Sequence, residues 1–299
     1  MNKDSKKKII LIVGAVMLAL ALALGIMISR SYSANEDESD NVPDDTQIIT
    51  PDQHEQELLQ YKEEWTALHN INNDYIGDII FDSGLLRVSF VQAKSVFKED
   101  GEMYKFYTEN GSLVTDPSGY TGNDVYIWTY WKTGEYDYND HGGSTFMDYR
   151  NEINDQNLII YGHHFSVWND ETRQKAFTPL ERLLEEENYQ NNRYVTLLLA
   201  NEVRKYELVA VYNFDATDDY YYENMQYWRT SYNYDDYTDT VDDSYYDRYI
   251  DAVKQHALYP TGVELSNTDK TLTLQTCISG HTGELFEILV LKEISSEPY

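Results

Sequence analysis

The chain has 299 residues, 41% of them hydrophobic and 14% aromatic, too apolar overall for a disordered polymer. Its 52 acidic and 23 basic residues give a net charge of −29, which argues against nucleic acid or an anionic membrane surface as a partner. A single cysteine excludes an intrachain disulfide, so that thiol is buried and inert, paired with another molecule, or reactive.

Residues 1–8 read as a cytoplasmic stub, with Lys3, Lys6, Lys7 and Lys8 opposed only by Asp4. Ile9 to Ile28 is a run of 20 residues without a charged side chain, long enough as a helix to cross a hydrocarbon layer of about 30 Å. The preceding lysines predict a single-pass signal anchor at the cell membrane, with everything after Arg30 outside. The competing reading is a cleaved signal peptide; the length of the run and the loose cleavage site at Ser31–Ala34 favour the anchor. Residues 29–50 are polar and acidic and read as a flexible stalk. Removing +3 for residues 1–8 and +1 for Arg30 from −29 leaves −33 on residues 31–299.

One catalytic domain is expected over residues 51–299. Thr50, Pro51 and Asp52 form a helix start, and Leu58, Tyr61, Trp65 and Leu68 follow on one face of about five turns. Strand signals then dominate: Asp78–Phe81, Leu85–Phe90, Asn157–Tyr161, Tyr194–Ala200, Tyr206–Tyr212, Lys270–Cys277 and Leu285–Ile294. They predict a mainly β, mostly antiparallel domain with added helices, closed or half-closed into a barrel. Helices are expected at Ala176–Glu187, with Phe177, Leu180, Leu183 and Leu184 on one face, and at Asp242–His256. Residues 215–251 form a Tyr- and Asp-rich insertion. Its aromatics suit the wall of a peptide groove, and it lacks the D-x-D-x-D-G pattern of a calcium loop.

Cys277 ends the alternating run Thr271–Cys277 and is followed by Ile278, Ser279 and Gly280, which presents its sulfur at a sheet rim. A free thiol with a pKa of about 8.5 needs an imidazole or cation beside it to act as a nucleophile; otherwise Cys277 is a small buried hydrophobe. His163 is the partner candidate, at the end of the apolar strand Asn157–Tyr161 and after Gly162. His164 points elsewhere by alternation. His54 and His69 fall on the first helix, His141 and His256 have no chemical context, and His281 lies four residues beyond the cysteine. No pair has metal-ligand spacing, so neither a metal nor a cofactor is expected. A papain-like hydrolase is disfavoured, because there the cysteine precedes the histidine and opens a helix.

The runs Gly143–Asn151 (GSTFMDYRN), Leu158–His164 (LIIYGHH) and Leu272–Cys277 (LTLQTC) together resemble the successive signatures of class B sortases. The resemblance spans roughly Asn73–Ile294. It implies an eight-stranded sortase β-barrel with an N-terminal helix and membrane anchor, in a Gram-positive host. It further implies a cysteine transpeptidase: Cys277 attacks a Thr-Gly type bond in the C-terminal sorting signal of a surface protein, and His163 protonates the departing amine. His163 then helps an amine of cell-wall peptide (lipid II) or a pilin lysine to take the acyl group. The sequence departs from the family in one place. Sortases carry an arginine on the strand after the cysteine; here Glu287 stands at that place, and no arginine follows Arg248. Glu287 is a candidate third residue that could orient His163, while Lys292, His281, Arg173 and Arg229 are candidate substitutes for the missing cation. The alternative reading is a degenerate, non-catalytic sortase-fold surface binding module.

Overall fold

The computed structural model describes residues 51–165, 174–215, 243–278 and 285–299. The expected membrane span and stalk, and most of the Tyr/Asp-rich insertion, lie outside the described residues. No helix among the described residues is long and apolar enough to cross a membrane.

Helix α1 (Pro51–His69) half-buries Leu58, Tyr61, Trp65 and Leu68, and the Trp65 indole donates to the Ile76 carbonyl at 2.8 Å. Strands β1 (Tyr75–Phe81) and β2 (Arg87–Val91) form a hairpin, followed by a short helix α2 (Gly122–Ile127). A small hairpin follows, of β3 (Thr129–Tyr130) and β4 (Glu135–Tyr136). Next come β5 (Thr145–Met147), β6 (Asn157–Tyr161), β7 (Tyr194–Leu198) and the long β8 (Glu202–Asp215). Helix α3 (Asp243–His256), β9 (Thr271–Cys277) and β10 (Leu285–Pro298) complete the chain.

Eight strands close into a barrel in the order β1-β2-β5-β6-β9-β10-β8-β7, as expected from the run of short strands. Closure leaves no open sheet edge. Most neighbours are antiparallel; β2–β5 and β6–β9 are parallel. Alternation then divides the side chains. Leu158, Ile160, Leu272, Leu274, Leu289 and Leu291 fill the interior. Ile159, Tyr212, Phe214, Ile288 and Val290 face outward, and α3 covers them with Tyr246, Tyr249, Ile250 and Val253.

The segment expected to be an α-helix near Ala176–Glu187 is instead a 3₁₀ helix at Thr178–Leu184, with a short 3₁₀ turn at Glu186–Asn188. Its buried Phe177, Leu180 and Leu183 recur every third residue, the 3₁₀ repeat, whereas Leu184 is only partly buried.

Candidate active site

The GSTFMDYRN run fixes the strand that carries the histidine. Asp148 is fully buried and accepts from Arg150 Nε at 2.7 Å and Nη2 at 2.6 Å, and from the Tyr161 hydroxyl at 2.9 Å. Burial alone would raise its pKa, but the Arg150 guanidinium holds the carboxyl below its ordinary value. Asn151 accepts from the Ile159 backbone at 2.8 Å and donates to the Asn157 carbonyl at 3.0 Å. These contacts staple β6 at its start, and its side of the register follows from there.

Strands β6 and β9 are parallel, with Tyr161 level with Gln275. The Gly162 backbone N–H donates to the Gln275 carbonyl at 3.0 Å, so the pairing continues past the end of β6. His163 lies two residues beyond Tyr161, and Cys277 two residues beyond Gln275. The sequence-predicted thiol and imidazole therefore both lie at the same end of the β6–β9 pair.

Cys277 pairs across with Phe286 and faces the outer side of the sheet, where Phe286 stacks on Phe214 with centroids 6.1 Å apart. His163 is boxed by Phe165 at 4.9 Å, Tyr138 at 5.3 Å and Trp128 at 6.0 Å between ring centroids. Gly142 closes the box. It has φ +67, and a methyl built on it would lie 2.7 Å from His163 Cδ2, so a side chain there would push on the imidazole.

This apolar setting determines the charge state. Burial, followed by the charge of His164, brings His163 down to about 4, and burial pushes the Cys277 thiol up. The resting pair is therefore neutral thiol and neutral imidazole. His163 Nε2 is buried and makes no hydrogen bond among the described residues. Catalytic contacts are commonly loose before substrate arrives.

Glu287 lies on β10 opposite Thr276, one residue out of step with Cys277, and alternation turns it to the barrel interior with Leu289 and Leu291. It is fully buried, and neither carboxylate oxygen has a hydrogen-bond partner among the described residues. Burial, with the charge of Glu181 adding to it, raises its pKa to about 8, so it carries a proton at neutral pH. It does not contact His163 through a hydrogen bond. Lys292 stands level with Thr271, six residues or roughly 20 Å along β10 from the Cys277 level, where its ammonium takes the Glu264 carbonyl at 3.1 Å and Asp269 at 2.9 Å. Arg173, Arg229 and His281 lie outside the described residues.

His164 turns away from His163 as expected and pairs with Glu181 at 2.9 Å. His54 lies exposed beside Glu297 at 2.9 Å, whereas His69 is half-buried and stacked on Trp65 at 4.5 Å. His141, without context in the sequence, pairs with Asp137 at 2.8 Å and stacks on Tyr130 at 3.8 Å. Trp128, Tyr138 and Gly142 could not be found from the sequence, because they reach His163 from distant loops; only Phe165, two residues away, offered a local hint.

A thiol and an imidazole thus lie at the ends of two adjacent strands of a closed eight-stranded barrel. No protein-family model matches the chain. It is 31% identical to sortase B of Listeria monocytogenes over 160 residues, 52% of this chain and 54% of that protein. The chain thus matches about half the length of the curated relatives it resembles. Among solved structures, Clostridium perfringens sortase B superimposes with a TM-score of 0.56 at 23% identity, covering 77% of this chain and 99% of that one. A substrate complex of Staphylococcus aureus sortase B gives a TM-score of 0.56 at 21% identity, covering 82% and 98%. The chain is a relative of the class B sortases and has their barrel fold.

Proposed function

We propose that this chain is a membrane-anchored cysteine transpeptidase that cleaves the C-terminal sorting signal of surface proteins and transfers them to an amine of cell-wall peptide or a pilin. The observation that supports the reading is the parallel pairing of β6 with β9, since His163 and Cys277 both follow at the same end of that pair.

In the first half-reaction the Cys277 sulfur attacks the scissile carbonyl carbon while its proton passes to His163. The peptide C–N bond breaks, the departing amine takes the proton from His163, and a thioester remains on Cys277. An incoming amine then loses a proton to His163 as it attacks the thioester carbonyl. The C–S bond breaks and the thiolate regains the proton, leaving a new amide and the starting enzyme. A neutral resting pair suits this cycle, because the imidazole is free to accept.

The polar segment 29–50 provides reach, and Ile9–Ile28 holds the domain at the outer membrane face, where both substrates would be met. Resistance to carbonate extraction, with protease sensitivity of the domain on intact cells, is the expected behaviour.

A second reading, a binding module that kept the barrel and lost turnover, is favoured by one observation. Glu287 stands where the family carries a cation but turns to the barrel interior, away from the outward-facing Cys277, so it cannot reach an oxyanion formed there. Losing such a donor costs about 2.7–4 kcal/mol of barrier. One experiment separates the two readings. The 31–299 chain and its Cys277→Ala variant are incubated with sorting-signal peptides, and intact mass is recorded. The transpeptidase gives an acyl adduct on the unsubstituted chain alone, which an added amine discharges. Peptide binding without an adduct, on a Cys277 that still alkylates, would establish the binding module instead.

A further inference from the structure

The residue pair His164–Glu181 is not used by the chemistry above, yet it sits on a segment that grips the end of β6 at four successive positions. The ring of Phe177 packs under Gly162, where an added methyl would meet it at 2.4 Å. The Phe177 backbone N–H donates to the His163 carbonyl at 3.0 Å. Glu181 Oε2 lies 2.9 Å from His164 Nε2, and the His164 side chain is 1% exposed. The Phe165 backbone N–H donates to Thr178 Oγ1 at 3.0 Å. Phe177, Thr178 and Glu181 thus hold residues 162–165 in turn.

We propose that this 3₁₀ segment is the positioning device of the active site, with Glu181 acting through His164 to set the orientation and charge of His163. The inference deepens the transpeptidase reading and rests on it for its significance. Positive charge on one imidazole disfavours positive charge on its neighbour, so the contacts that hold His164 bear on His163 as well. That is the sense in which His164 acts on His163.

Other groups stand around the pair. Glu287 on β10 lies near enough to Glu181 for the Glu181 charge to add to burial in raising its pKa. Tyr259 faces Glu287, with its hydroxyl given to the Leu183 carbonyl at 2.6 Å. Trp128, Tyr138 and Phe165 surround His163 itself, and Lys175 Nζ lies 5.9 Å from the Phe165 ring centroid. The His141–Asp137 pair is on the loop that carries Tyr138.

The test uses His164→Gln, which can keep the bond to Glu181 but cannot carry charge, and Glu181→Gln, which removes the counter-charge. Two readouts need no sorting substrate: the NMR titration of the His163 imidazole, and the pH profile of Cys277 alkylation by iodoacetamide. In both variants the His163 midpoint should rise above about 4 by the part that His164 adds to burial, and the acid limb of the alkylation profile should move with it. Thr178→Val should broaden the His163 resonance without moving its midpoint. A midpoint and profile unchanged in both Gln variants, with only a lowered melting temperature, would reduce the segment to a structural support and overturn the proposal. Because neither readout depends on turnover, failure of the transpeptidase reading would show separately, as missing acyl adducts.

Discussion

At the scale of single residues, the two members of the site are tuned by the same means as the acid behind them, in opposite senses. Burial favours the neutral form of each: it lowers His163, and it raises Cys277 and Glu287. Glu287 has a consequence that can be measured. Its folded pKa, about 8, lies above its ordinary 4.5, so the folded state holds a proton that the unfolded chain has released. Stability from this group is complete below the ordinary pKa and is lost as pH rises toward 8, at roughly 1.4 kcal/mol per pH unit at most. Urea unfolding at pH 5, 7 and 8.5 should therefore show a falling midpoint for the unsubstituted chain. The Glu287→Gln variant should show a much flatter profile, and equal slopes would mean that Glu287 is ionised when folded. His163 acts on the acid side: its depressed pKa means stability is lost as pH falls through 6.5 to about 4.

At the scale of elements, the site is a matter of register. Beneath the aromatic box, His163 follows directly on the pairing of β6 with β9 and on the 3₁₀ segment, which makes Gly162 a sensitive point. Replacing Gly162 with Ala puts a methyl 2.4 Å from the Phe177 ring, and Phe177 is fully buried with little room to yield. Overpacking of this kind costs about 1–3 kcal/mol, and the strain falls on the residue before the imidazole. A lowered melting temperature with slowed Cys277 alkylation is expected, and a second change, Phe177→Leu, should restore part of both. Restoration of stability without reactivity would mean that the strand end is placed by other contacts. The same elements mark the limit of what the sequence could reveal. Strands β6, β7, β9 and β10 were legible because runs of Val, Ile and Leu leave little else to form, and Cys277 and His163 were legible as their terminal residues. The three-residue β5 and the two-residue β3 and β4 were not, since alternation has no meaning over so short a span. The aromatic box was hidden for another reason. Trp128, Tyr138 and Gly142 gain their role only when the barrel closes and brings their loops over His163.

For the whole molecule the decisive quantity is charge. Residues 31–299 carry −33, and such a field acts on every charged partner before any contact is made. On the proposed transpeptidase reading, an acyl acceptor that arrives as an ammonium ion is drawn toward the domain, whereas a neutral reagent is not. The field is screened over about 10 Å at 0.1 M salt and about 3 Å at 1 M. Raising salt across that range should therefore lower kcat/KM for a cationic acceptor several-fold while leaving alkylation of Cys277 by neutral iodoacetamide unchanged. The paired measurement separates attraction from damage to the site, because loss of both rates would report a change at Cys277 itself. A kcat/KM independent of salt would mean that the acceptor is captured by local contacts alone, and that the acidity of the domain serves solubility rather than catalysis.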